Sequence, residues 1–142
     1  MKIISHRGNL FGPDSKNENK PEIIESVLGR GIDVEIDLWY VDGSFYLGHD
    51  RPDYSIDYNF LFRNGLWIHA KNLGALYKMA ETGLHYFWHQ NDDFTLTSKN
   101  IIWTYPGKEV TDRSVIVTLE NNLNNFLKEE IYGICTDYAE IK

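Results

Sequence analysis

Two histidines, two carboxylates and an arginine stand in a fixed order near the start of this chain: Ser5-His6-Arg7-Gly8, then Glu18-Asn19, then Glu35-Ile36-Asp37, then Gly48-His49-Asp50. Imidazoles exchange protons near neutral pH, paired carboxylates hold a hard cation, and a guanidinium neutralises phosphate oxygens. Gathered around one pocket, this set suits metal-assisted chemistry on a phosphate ester. Short apolar runs must do the gathering. Ile3-Ile4, Val34 with Ile36, and Phe45 to Leu47 lead into or surround the polar residues, so each motif is expected at a strand end on a rigid sheet. Glu35 and Asp37 are two apart and face the same side of their strand. That strand otherwise reads buried through Val34, Ile36 and Leu38, where unpaired charge is costly, so a cation partner is expected.

Taken singly, each motif is an ordinary turn or a solvated strand face. Taken in order, they resemble the glycerophosphodiester phosphodiesterase family, within the phospholipase-C-like phosphodiesterases. The family pattern stands here as His6-Arg7-Gly8, Glu18-Asn19-Lys20, Glu35-Ile36-Asp37, Asp42-Gly43 and His49-Asp50, with Ile68-His69-Ala70-Lys71 similar to its Glu-x-Lys strand and Gly133 to Asp137 similar to its final strand. The resemblance implies a (β/α)8 barrel and a phosphoric diester hydrolase of lipid-headgroup metabolism. It implies Mg2+ or Ca2+, with Mn2+ as a further option, held by Glu35 and Asp37. Arg7 and Lys71 are then the phosphate-binding residues, and His6 and His49 the acid and base, in an order the sequence leaves open. In similar enzymes a neighbouring hydroxyl of the substrate attacks, giving a cyclic phosphate.

Two departures qualify that likeness. His69 stands where the family places a third carboxylate. It either ligates the ion, shifting preference towards Mn2+ or Zn2+ relative to Ca2+, or contacts phosphate, or marks a site whose metal affinity has been lost. Only residues 51 to 65 separate His49-Asp50 from the next strand, where relatives carry an insertion that helps form the glycerol site. The substrate is therefore expected to be a small phosphodiester of glycerol, another polyol or a sugar, with Trp88, His89, Trp103 and Tyr105 at later strand ends as stacking candidates. A binding module that keeps the pocket without turnover is the alternative function.

The composition is that of one globular domain over residues 1 to 142, with 42% hydrophobic and 25% charged residues. A net charge of -7 argues against nucleic acid as a partner, because no basic stripe offsets it. No run approaches the ~20 apolar residues of a membrane span, and the amino terminus passes directly into a strand, so a cytoplasmic protein is expected. The single Cys135 excludes an internal disulfide.

Strands are expected at 2–5, 33–39, 45–48, 66–70, 85–88, 101–104, 115–119 and 132–136, and helices at 20–30, 72–82 and 120–130. That order gives a mainly parallel sheet. A full barrel takes about 250 residues, so a reduced TIM-like (β/α)8 barrel lacking several outer helices is the expected fold. Apolar residues around Phe87, Trp88, Ile101, Ile102 and Trp103 fall where helices are missing, and homodimerisation is expected there. Asp42-Gly43 marks a hairpin. A two-residue loop sets Ile36 opposite His49 and turns the imidazole away from the carboxylates; a three-residue loop from Val41 to Gly43 sets Glu35 opposite His49. A role for His49 predicts the three-residue loop.

Overall fold

A computed structural model describes residues 1–140; the last two residues of the expected domain lie outside that range. In chain order the elements are β1 (Lys2–His6), α1 (Pro21–Gly29), β2 (Asp33–Val41), β3 (Ser44–Leu47), β4 (Tyr54–Ile56), β5 (Leu66–Ala70), α2 (Leu73–Ala80), β6 (Tyr86–Phe87), β7 (Phe94–Leu96), β8 (Ile102–Thr104), β9 (Ser114–Thr118) and β10 (Gly133–Thr136), with 3-10 turns at Tyr58–Phe62 and Leu123–Phe126. Pro21 opens α1 where its missing N–H costs nothing. Asn72 caps α2 by accepting from Ala75 N–H at 3.0 Å, and it also bonds both backbone groups of Tyr40, which fixes the helix on β2.

All ten strands join one sheet. The parallel strands run β1, β2, β5, β6 in one direction and β1, β10, β9, β8 in the other, so the first strand pairs with the last and the sheet curls into a barrel-like shape. No ladder joins β6 to β8 among the described residues. Antiparallel β7, paired with β8, occupies that seam and reaches the β6 side through the Thr95 hydroxyl, which donates to Trp88 O at 2.7 Å. The protein is a mixed α/β structure, and α1 and α2 are the α-helices among the described residues. Neither is long and apolar enough to cross a membrane.

The two faces of the sheet hold different cores. Outside, Val34, Ile36, Leu38 and Ile68 pack with Ile24 and Val27 of α1 and Ala75 and Met79 of α2. Inside, Ile4, Trp67, Phe87, Trp103, Val115 and Cys135 fill the curl. Phe87, Ile101 and Trp103 are therefore buried within the chain, and of the residues around which homodimerisation is expected only Trp88 and Ile102 are partly exposed.

Three local expectations are corrected. The helix expected over 120–130 is only the 3-10 turn at Leu123–Phe126. Asn121, Asn122, Asn124 and Asn125 favour local side-chain bonding over the helical ladder, as when Asn122 accepts from the Thr118 hydroxyl at 2.7 Å. Strands β4 and β7, three residues each, are too short to show a period in the sequence. The hairpin turn has two residues, not three: Val41 pairs with Ser44, and Asp42 and Gly43 take φ of 50° and 80°. Regular pairing of β3 stops at Leu47, before His49.

Candidate functional site

The site forms where the parallel strands end. His6 is the last residue of β1 and lies beside Glu35 in the ladder, and Asp37 lies beside His69 of β5. After His6 the chain turns sharply, with Arg7 at φ 58° and Gly8 at φ 91°. A Cβ on Gly8 would come within 3.1 Å of Ile23 and 3.2 Å of Ile24, so the glycine lets the loop lie directly on α1. Arg7 N–H donates to Glu35 O, and Asn19, itself left-handed at φ 61°, donates its N–H to Arg7 O. Two non-glycine residues held in that region mark a turn kept for what it positions.

His49 reaches the site by leaving its strand. Gly48 N–H still donates to Asp37 O at 3.1 Å, but beyond it the backbone folds so tightly that a Cβ on Gly48 would sit 1.9 Å from Arg51 O. Only glycine permits that bend, which turns the imidazole back towards the carboxylates despite the two-residue hairpin. The His-Asp motif owes its position to this glycine rather than to the ladder.

His6, Arg7, Glu35, His49, His69 and Lys71 all line one cavity of about 350 Å³, and buried Asp37 lies directly behind it. All seven residues expected from the sequence thus come together. His6 Nδ1 bonds Asp137 Oδ1 at 2.8 Å, which leaves Nε2 3.8 Å from Glu35 Oε2. Asn9 Nδ2 donates to Glu18 and to Asp137, and Asn19 Nδ2 donates to Asp37 Oδ2 at 2.9 Å. Asp137, Asn9 and Asn19 were not singled out as site residues. Asp137 and Asn19 belong to the motifs already quoted, whereas nothing in the spacing distinguishes Asn9. His89, also on the cavity, lies two residues beyond inward-facing Phe87, and period-two reasoning places it on that side.

The electrostatics are those of a site short of cations. Burial and the charge of Asp37 push the Glu35 carboxyl well above its usual range. Asp37 is equally buried, but the His69 contact, Arg7 and the Asn19 bond outweigh desolvation and hold it low. Burial alone would raise Asp137; its hydrogen bonds from His6 and Asn9 prevail and lower it. Burial would lower Arg7, yet Asp37, Glu35 and Glu18 raise it further. Burial, then Arg7, lowers His49, which favours its neutral form.

Glu35, Asp37 and His69 form a group that could hold a metal ion, each offering a ligand atom within 4.8 Å of the others. Glu35 Oε2 and Asp37 Oδ1 are buried without a hydrogen-bond partner among the described residues. His69 Nε2 lies 3.0 Å from His89 O; because a carbonyl only accepts, the proton is on Nε2. Nδ1 then faces Asp37 Oδ1 at 3.2 Å and Glu35 Oε1 at 3.8 Å. A lone pair opposed to two carboxylates requires a proton or a cation between them, so the donor set fits a divalent metal.

No family model matches the chain, and no curated protein matches it.

Proposed function

We propose that this chain is a small metal-dependent phosphodiesterase of the glycerophosphodiester phosphodiesterase type, built on a reduced (β/α)8 barrel and acting on a small phosphodiester. The observation that carries this reading is the Glu35, Asp37, His69 group, whose buried oxygens lack partners beside a cavity lined by His6 and His49. It rests on the site chemistry and on the motif order.

Glu35, Asp37 and His69 would hold the metal, with the imidazole shifting preference from Ca2+ towards Mn2+. A bound divalent cation would polarise a phosphoryl oxygen and supply the local positive field that an acidic protein otherwise lacks. Arg7 and Lys71 neutralise charge on the remaining phosphoryl oxygens; among the described residues Lys71 has no carboxylate within ion-pair reach, so its ammonium is available to substrate. Neutral His49 accepts the proton of the attacking hydroxyl. His6, oriented by Asp137 so that Nε2 faces the cavity, donates a proton to the departing alcohol. Asn19, which bonds Asp37 and the Arg7 backbone, and the left-handed Arg7 turn hold the metal-ligating and phosphate-binding groups in register.

Turnover of bis(p-nitrophenyl) phosphate and glycerophosphodiesters, with Mg2+, Ca2+ or Mn2+ added, tests the reading. Activity that disappears with chelator and in both His6→Ala and Glu35→Ala supports it. Tight ligand binding without turnover makes the chain a binding module, and no binding of any of the three metals removes the metal centre.

A further inference from the structure

Apart from His69, three imidazoles on the cavity each bond a carboxylate, and the chemistry above uses only His6 and His49. His6 bonds Asp137, His49 bonds Asp50 and His89 bonds Asp92, each through Nδ1, which leaves Nε2 as the free ring nitrogen. The His89 ring lines the cavity with its centroid 5.9 Å from that of His69. Its loop is pinned on all sides. His89 O accepts from His69 Nε2 at 3.0 Å, Trp88 O accepts from the Thr95 hydroxyl at 2.7 Å, and Gln90 N–H donates to Asp92 Oδ2 at 3.2 Å. Tyr105, on the same cavity, donates its N–H to Asp93 O at 2.9 Å. His89 Nε2 has no partner among the described residues, although its ring is held this firmly.

With Nδ1 directed at Asp92, Nε2 is the nitrogen left for a ligand; in the neutral ring it accepts, and the ligand group that matches a lone acceptor beside a phosphate site is a hydroxyl. Charge narrows the class further. With the metal of the phosphodiesterase reading offsetting Glu35 and Asp37, Arg7 and Lys71 leave the cavity net positive, so a cationic headgroup would meet like charge there, whereas a neutral alcohol would not. Half-exposed Tyr105 offers a ring face to the C–H surface of a polyol or sugar.

Building on the phosphodiesterase reading, we propose that His89, held by Asp92, is a specificity-determining residue that accepts a hydrogen bond from a hydroxyl of the ester's alcohol part, so that the substrate class is a neutral polyol or sugar phosphodiester. The side chain acts on recognition, while the His89 carbonyl, which any residue retains, keeps its contact with His69.

The test compares kcat/KM for bis(glycero)phosphate, glycerophosphocholine and hydroxyl-free bis(p-nitrophenyl) phosphate, with Mn2+ present. The wild type favours bis(glycero)phosphate over glycerophosphocholine. In His89→Ala the preference for bis(glycero)phosphate over bis(p-nitrophenyl) phosphate falls about tenfold, the size of one lost hydrogen bond, chiefly through KM. His89→Gln, whose amide oxygen can accept, keeps that preference within about threefold. An equal fall on both substrates in His89→Ala, or a wild type that favours the choline ester, overturns this assignment while leaving the phosphodiesterase standing. No wild-type turnover of any of the three overturns both.

Discussion

Around the first half of the sheet, β1, β2 and β5 are covered by α1, α2 and the β3–β4 hairpin, and Val34, Ile36, Leu38 and Ile68 are sealed beneath them. Around the second half, β6 to β9 are joined by turns, and β7 leaves Phe94 46% and Leu96 62% exposed. The division tracks the chemistry. Glu35 and Asp37, and the His6, Arg7 and His69 side chains within reach of them, come from the covered half, where desolvation and rigid packing keep charges close together. The thin half supplies the rim, with His89, Gln90, Trp103 and Tyr105. It dispenses with helices because Phe87, Ile101 and Trp103 turn inward and pack with Trp67, so its core lies inside the curl.

The sharpest break in that contrast is chemical. Glu35→Gln is expected to abolish metal binding and lower turnover by at least about a thousandfold, read by calorimetry with Mn2+ and by steady-state kinetics. The same change should raise the melting temperature of the metal-free protein by about 3–6 °C. The sign follows from the shift: a carboxyl raised by burial costs stability as pH climbs past its unfolded value, and the amide removes that cost. An unchanged or lower melting temperature would show that the carboxylates are already balanced without a cation.

Packing gives the next largest difference. Ile36→Ala, beneath the helices, should cost about 2–4 kcal/mol in urea unfolding through the cavity it leaves. A loss below about 1 kcal/mol would mean that the covered half collapses around the gap and is no more rigid than the other.

His85 probes the thin half by pH. It rests on Trp67 with ring centroids 4.1 Å apart and bonds the Thr97 hydroxyl, and burial first, then Lys99, depresses it to about 4. A depressed histidine binds its proton more weakly when folded, so its contribution is complete above the unfolded value of 6.5 and is lost as pH falls from there towards 4. After allowance for partial exposure, about 1–2 kcal/mol of acid-sensitive stability is expected. His85→Gln should flatten the unfolding free energy across that window, and an unaltered slope would assign the acid sensitivity elsewhere. The smallest effect belongs to the bare surface: Leu96→Thr should change stability by no more than about 0.5 kcal/mol, and a larger loss would reveal that β7 is covered in solution.

Much of this molecule is legible in order and period. The apolar runs place β1, β2, β5, β9 and β10 within a residue or two, Pro21 and Asn72 mark both α-helix starts, and the spacing of Glu35 and Asp37 puts both carboxylates on one face, because strand and helix periods are local properties of the chain. Other features are not local. The asparagines at 121 to 125 defeat a helix that apolar spacing alone predicts, and the inward turn of Phe87 and Trp103 depends on how far the sheet curls. The position of His49 was decided by a backbone bend at Gly48 that the hairpin register does not contain. Asp137 and His89 stand 131 and 83 residues beyond His6 and meet it at one cavity because the last strand pairs with the first and the sheet closes on itself. Sequence thus determined which groups were available and which way each strand faced them; tertiary structure decided which became neighbours, since convergence at the end of a curled sheet depends on pairings between residues far apart in the chain.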